Sequence, residues 1–294
     1  MIILGGSASN GLDILLSKVI GADLTKIETT KFPDGEMKVK VPELNDENVV
    51  VVQSTYSPQE KNLFELLLTC HELSRRKAKI TAVIPYLAYA RQNRSFTSGE
   101  AVSVDMVLDM LHAAGVRRLI TVNPHKSDAL AYFKGKAGIV DASKTLARAV
   151  MGQLDEPFVL APDKGGLNLA KNAASVIKCE YTHIEKIRDN YGNVSIKKAH
   201  GGGFKGKDVI IFDDVISTGG TIALAARYAY AEGATSVCAA AVHLLMADEA
   251  YNRMKTVGVV KLFGANTIPF EKAEIADISS DIAEFIDHEK KEYD

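Results

Sequence analysis

The stretch Val209-Ile210-Ile211-Phe212-Asp213-Asp214-Val215-Ile216-Ser217-Thr218-Gly219-Gly220-Thr221-Ile222 limits what this 294-residue chain can fold into more than any other. Its opening apolar run reads as a strand buried on both faces, which a parallel sheet covered by helices provides. Two carboxylates close the strand and a Ser-Thr-Gly-Gly-Thr turn follows. The Ala-rich run from Ile222 to Glu232, stopped by Gly233, reads as a helix. Such a strand–turn–helix unit gathers free backbone N–H groups at the positive end of the helix dipole. The hydroxyls of Ser217, Thr218 and Thr221 add donors, so phosphate is the natural occupant. Phosphate alone does not account for Asp213 and Asp214, which would repel it. A sugar diol donates hydrogen bonds to carboxylates and a bound metal neutralises them, so a ribose 5-phosphate unit meets both demands. The strand is not a Walker B strand with a P-loop partner, since G-x-x-x-x-G-K-[ST] occurs nowhere in the chain.

Strand-like and helix-like runs alternate along the rest. Ile2–Leu4, Lys38–Val41, Val49–Val52, Ile80–Ile84 and Leu119–Val122 read as strands; Leu12–Ile20, Asn62–Arg76 and Ser103–Ala114 read as helices. The second half repeats the first. Leu160-Ala161-Pro162-Asp163-Lys164-Gly165-Gly166 answers Leu4-Gly5-Gly6-Ser7, Ile184 answers Ile27, Val209 answers Val49 and Val237 answers Thr81, at offsets of 156, 157, 160 and 156. A near-constant offset implies duplication of one α/β domain. Two domains are expected, residues 1–142 and 143–294, each a mainly parallel sheet flanked by helices, with the last segment, Ile275 to Tyr293, a helix of the second. A net charge of −2 gives no general attraction to nucleic acid or membranes, and no apolar run approaches the length of a membrane span. Three scattered cysteines, Cys70, Cys179 and Cys238, suit a reducing compartment. A cytoplasmic protein is expected.

The halves differ at the decisive place. Where the second has Asp213-Asp214 and the Gly-Gly turn, the first has Gln53-Ser54-Thr55-Tyr56-Ser57-Pro58. The first half offers other groups. Pro85-Tyr86-Leu87-Ala88-Tyr89-Ala90-Arg91-Gln92-Asn93-Arg94 puts two arginines after a strand, and arginine suits polyphosphate because it is permanently charged and bidentate. Phe32-Pro33-Asp34-Gly35-Glu36 supplies a stacking aromatic and acidic acceptors for an exocyclic amine, and Asn123-Pro124-His125 sets an imidazole at another strand end.

The 209–222 stretch resembles the phosphoribosyl-diphosphate (PRPP) motif of type I phosphoribosyltransferase folds. With F-P-D-G-E and Y-A-R-Q-N-R it makes the whole chain resemble the ribose-phosphate pyrophosphokinase family, and its short archaeal-type members in particular. That resemblance implies an enzyme moving the diphosphoryl group of Mg-ATP to the 1-hydroxyl of ribose 5-phosphate, giving PRPP and AMP for nucleotide biosynthesis. It implies that Phe32, Asp34, Gly35 and Glu36 recognise adenine, in a site shared with a neighbouring subunit, which requires at least a homodimer. Arg91, Gln92 and His125 become ATP contacts, and His125 and Asp163 positions linked to Mg2+. Lys186 and Arg188 become the catalytic cations of a mobile loop, with Arg188 also on ribose 5-phosphate. Asp213 and Asp214 become the ribose acids, and Ser217, Thr218, Gly219, Gly220 and Thr221 the 5-phosphate cradle. The chain departs from the common pattern at Asn123, where the family commonly has Asp, at Asn93, also commonly Asp, and at Ser217, commonly acidic. The competing readings are a phosphoribosyltransferase that consumes PRPP, which leaves F-P-D-G-E and Arg91-Gln92 unexplained, and a non-catalytic regulatory paralogue, which leaves the intact lid and phosphate turn unexplained.

Overall fold

In the computed structural model the described backbone comprises residues 1–188, 194–199 and 203–291, and the described side chains residues 1–185 and 203–287. The chain forms two compact units, one of Met1–Asp141 together with the segment from Ile278, the other of Ala142–Asp277.

The first unit contains β1 (Ile2–Gly5), α1 (Leu12–Ile20), β2 (Asp23–Lys26), β3 (Glu28–Lys31), β4 (Met37–Lys40), β5 (Asn48–Val52), α2 (Gln59–Arg75), β6 (Lys79–Ile84), α3 (Ser103–Ala113), β7 (Val116–Val122) and β8 (Lys136–Val140). Its sheet runs β2-β1-β5-β6-β7-β8 and every pairing is parallel. β3 and β4 stand apart as an antiparallel hairpin. The continuous apolar run Val49–Val52 lies in the middle of this sheet and is buried throughout, as a strand covered on both faces requires.

The second unit contains α4 (Ser143–Val150), β9 (Pro157–Ala161), α5 (Leu167–Ile177), β10 (Glu180–Arg188), β11 (Val194–Ala199), β12 (Asp208–Ile216), α6 (Gly220–Ala231), β13 (Ser236–Leu244), α7 (Asp248–Thr256), β14 (Val259–Ala265) and β15 (Glu274–Ala276). Its sheet runs β11-β10-β9-β12-β13-β14-β15, parallel except for the β10–β11 pair. Without β11 the strand order is that of the first unit. The registers agree as well: Ile2 faces Val49 and Val49 faces Ile80, as Phe158 faces Val209 and Val209 faces Val237. The sequence repeat is therefore a repeat of topology and of register, with one correction: Val237 answers Ile80, at an offset of 157, and not Thr81.

The C-terminal expectation needs correction on two points. The segment expected to be helical from Ile275 first pairs with β14, Phe263 facing Glu274 and Ala265 facing Ala276, and only then forms α8 (Ser279–Lys291). An otherwise open edge at β14 offered a ladder of backbone bonds that a frayed helix end could not match. Moreover, α8 packs on α1 and β8 of the first unit, burying Ile278, Ile282 and Ile286, and so does not close the second.

Candidate active site

Strand β12 delivers Asp213 and Asp214 at the carboxyl end of the second sheet, where open α/β sheets bind ligands. Both acids are half-buried. Their oxygens accept locally, the Asp214 N–H donating to Asp213 Oδ1 at 2.9 Å and the Val215 N–H to Asp214 Oδ1 at 2.8 Å. Burial, then the neighbouring Asp214 charge, with Asp163 contributing further, push the Asp213 carboxyl well above the usual carboxylate range. Asp163 follows β9 by two residues and accepts from the N–H groups of Gly165 (2.9 Å) and Gly166 (3.4 Å), which holds the following turn.

The Ser-Thr-Gly-Gly-Thr turn leads into α6. No side chain caps this helix; its first intrahelical bond runs from the Ala223 N–H to Gly219 O at 2.9 Å, so the amides ahead of it are available to an anion. Ser217 is half-buried, Thr218 and Thr221 exposed. The two glycines serve different ends. Gly219 adopts φ +70°, and a Cβ there would sit 2.8 Å from Ala250 O, so α7 itself demands glycine. A Cβ on Gly220 would meet nothing nearer than 3.7 Å. Packing within the chain gives no reason for the absence of a side chain at that point.

Lys186 and Arg188 lie on β10, at positions facing Ile196 and Val194 of β11, with a register shift between Glu185 and Lys186. Both are thus on a strand of an antiparallel arm. Their side chains, and the polar stretch 189–193 read as a lid, lie outside the described residues.

The nucleotide candidates all fall in the first unit. Phe32-Pro33-Asp34-Gly35-Glu36 is the turn of the β3–β4 hairpin, closed by Phe32 N–H to Glu36 O (2.9 Å), Gly35 N–H to Phe32 O (2.9 Å) and Glu36 N–H to Asp34 Oδ1 (3.1 Å). The turn satisfies its own backbone and leaves Phe32 47% exposed, so the ring is no core anchor of this chain. Arg91 is exposed on the long connection 85–102; Gln92 accepts from Ser103 Oγ at 2.6 Å, which ties that connection to the start of α3. His125 is exposed just beyond β7.

Sequence reasoning missed what holds the Arg91 connection. The Thr55 N–H and hydroxyl both donate to Tyr86 O (2.9 and 2.8 Å), the Ala88 N–H donates to Thr55 Oγ1 (2.8 Å), and the Tyr86 N–H donates to Ser54 Oγ (3.0 Å). It also missed Glu65. This fully buried carboxylate on α2 accepts from the Ser7 N–H (2.8 Å), Ser7 Oγ (2.9 Å) and Gln53 Nε2 (3.0 Å). The signal was present: Glu65 is the one charged residue on the buried face of α2, among Leu63, Leu66, Cys70 and Leu73.

Mg2+ prefers oxygen donors and is commonly held by one or two carboxylates with water and substrate phosphates, seldom by an all-protein cage. The donor chemistry of Asp163, Asp213 and Asp214 fits that mode, and the raised Asp213 carboxyl marks excess negative charge that a cation would relieve. Among the described residues no group of three or more His, Cys, Asp or Glu side chains could hold a metal by itself.

Two parallel α/β units of one topology, one carrying an acid pair and an uncapped Gly-Gly helix start, define a phosphoribosyltransferase-type protein. The model of the N-terminal domain of ribose phosphate pyrophosphokinase matches residues 1–115, and that of the phosphoribosyl transferase domain residues 130–271. The ribose-phosphate pyrophosphokinase of Saccharolobus solfataricus is 48% identical over 288 residues, 96% of this chain and 99% of that protein; that of Sulfolobus acidocaldarius is 46% identical over the same shares. The phosphoribosylpyrophosphate synthetase of Mycobacterium smegmatis matches in structure with a TM-score of 0.85 at 28% identity, covering 99% of each chain. The chain belongs to the ribose-phosphate pyrophosphokinase family, and its near relatives are archaeal, as the sequence suggested. No described helix is long and apolar enough to cross a membrane.

Proposed function

We propose that this chain transfers the diphosphoryl group of Mg-ATP to the 1-hydroxyl of ribose 5-phosphate, giving PRPP and AMP, with the sugar phosphate at the carboxyl end of β12. The observation that carries the reading is the pairing of Asp213-Asp214 with an uncapped helix start at Gly220, set beside full-length kinship with ribose-phosphate pyrophosphokinases. In this reading residues 217–221 hold the 5-phosphate through backbone N–H groups and hydroxyls. Asp213 and Asp214 accept from the ribose diol and orient the anomeric hydroxyl. His125 and Asp163 would be the positions linked to Mg2+, with His125 also an ATP contact; the ion's chemistry would be to neutralise phosphate charge. Lys186 and Arg188 stabilise charge that develops on the transferred group, and Arg188 also binds ribose 5-phosphate. Arg91 and Gln92 bind the ATP polyphosphate.

The exposed Phe32 ring, on a turn that satisfies its own backbone, supports a role outside its own core. Together with Asp34, Gly35 and Glu36 it reads adenine in the site of a neighbouring subunit, so the active unit is at least a homodimer. A cytoplasmic setting suits these substrates. The test is release of AMP from ATP and ribose 5-phosphate with no nucleobase present. AMP and PRPP in equal amounts are expected; a strict requirement for a nucleobase would replace this reading with that of a phosphoribosyltransferase.

A further inference from the structure

We propose that Arg253 is a further ligand of the sugar 5-phosphate, supplied to the phosphate turn by α7; this rests on the assignment of residues 217–221 to that phosphate. Gly219 brings α7 against the turn. A Cβ at that position would lie 2.8 Å from Ala250 O and 3.3 Å from Met254 Cγ, and Met254 is 1% exposed, so the contact is a packed one. Arg253 is the neighbour of Met254 on this helix, and the packing carries its guanidinium to the start of α6. Its Nη1 lies 3.7 Å from where a Cβ on Gly220 would be, as does the Thr218 hydroxyl. A guanidinium and a turn hydroxyl therefore flank the same uncapped helix start.

Nothing among the described residues engages this cation. Among the described residues Arg253 makes no hydrogen bond or ion pair, although Glu249 precedes it by one helical turn, a spacing that commonly pairs. Neighbouring cations are engaged: Lys255 Nζ donates to Val260 O at 3.0 Å and Lys272 pairs with Asp248 at 2.7 Å. A permanently charged, fork-shaped donor beside free helix amides is a phosphate-recognition arrangement, and the ligand class it fits is a phosphate monoester dianion. Arg253 also answers an electrostatic difficulty of the site. Asp213 and Asp214 repel the dianion that the turn must hold, and the exposed guanidinium beside Gly220 offsets that repulsion.

Steady-state kinetics on the full chain test this with Arg253→Ala, Arg253→Lys and Thr221→Ala. The loss of one charge-assisted phosphate contact raises the KM for ribose 5-phosphate on the order of 10- to 100-fold in Arg253→Ala. The KM for ATP and the thermal midpoint stay at wild-type values, and Arg253→Lys recovers part of the loss. If Thr221→Ala raises the ribose 5-phosphate KM and Arg253→Ala does not, Arg253 is a solvated surface residue and the phosphate turn stands without it. If Arg253→Ala raises both KM values alike, or lowers the midpoint with them, its role is structural and the proposal is overturned. If neither variant moves the ribose 5-phosphate KM, the phosphate does not sit at residues 217–221 and both readings fall.

Discussion

The carboxyl ends of β5 and β12 occupy the same place in two copies of one fold and have opposite chemistry. At the offsets that relate the units, Ser7 stands where the second unit has Asp163, Gln53 where it has Asp213, and Glu65 where it has Ala225. The helices agree on the last point, since the buried positions Asn62, Leu63, Glu65, Leu66 and Thr69 of α2 match Ile222, Ala223, Ala225, Ala226 and Ala229 of α6. In the first unit two neutral side chains turn inward and donate to one buried acid, and the network closes on itself. In the second, acids stand at the corresponding positions with an alanine behind them, and burial and the Asp214 charge push the Asp213 carboxyl up. The closed network rigidifies; the open one retains unmet electrostatic demand for a ligand to meet. Ser54 and Thr55, which stand where the second unit has Asp214 and Val215, hold the connection that carries Arg91.

This contrast can be broken most severely at the open site. Lys186→Ala is expected to lower turnover by about 10²- to 10³-fold while changing ribose 5-phosphate affinity little, as for a transition-state contact. Mixing that variant with Phe32→Ala/Glu36→Ala chains under confirmed subunit exchange should restore activity, because some sites then combine an intact arm and an intact hairpin from different chains. Activity that stays at the parental level would mean each site is built from one chain.

The closed site is tested through stability. Glu65→Ala takes one acceptor from the buried Gln53 amide and frees the exposed Ser7 donors to water, at a cost of about 1–2 kcal/mol in denaturant unfolding. An unchanged midpoint would show that the network is ornamental. The smallest effect sharpens the comparison from the other side. Asp213→Asn should abolish turnover yet stabilise the ligand-free protein by about 1 kcal/mol, since the functional acid is the strained one. A carboxyl whose pKa is raised by folding keeps its stabilising contribution below its unfolded value and loses it as pH rises through the folded one. The advantage of the variant should therefore widen as pH rises from the ordinary carboxylate range and level off once the folded Asp213 carboxyl has ionised; a gap in thermal midpoint that shrinks, or shows no widening above the ordinary carboxylate range, would contradict the raised Asp213 carboxyl.

Much of this was legible because burial leaves a plain trace in sequence. Val49–Val52 and Val209–Phe212 announce themselves as doubly covered strands, and the helix Leu12–Ile20 has its expected bounds. What escaped is exposed or borrowed. β2 and β3, Asp23–Lys26 and Glu28–Lys31, are half-exposed and polar, so no apolar alternation marks them. β15 takes its conformation from the free edge of β14, a tertiary cause that its own residues do not record. The acid pair and the Gly-Gly turn were readable because their chemistry is local. Glu65 and Thr55 act on partners 58 and 31 residues away in the chain, which spacing alone does not expose.

The return of α8 to the first unit sets an order of birth. The second unit is one unbroken span, Ala142–Asp277, and can complete its sheet as soon as that span leaves the ribosome. The first unit, translated earlier, waits for Ile282 and Ile286 to cover α1. At ordinary elongation rates that wait is on the order of ten seconds, during which its apolar surface stands open to chaperones. The half made first is finished last.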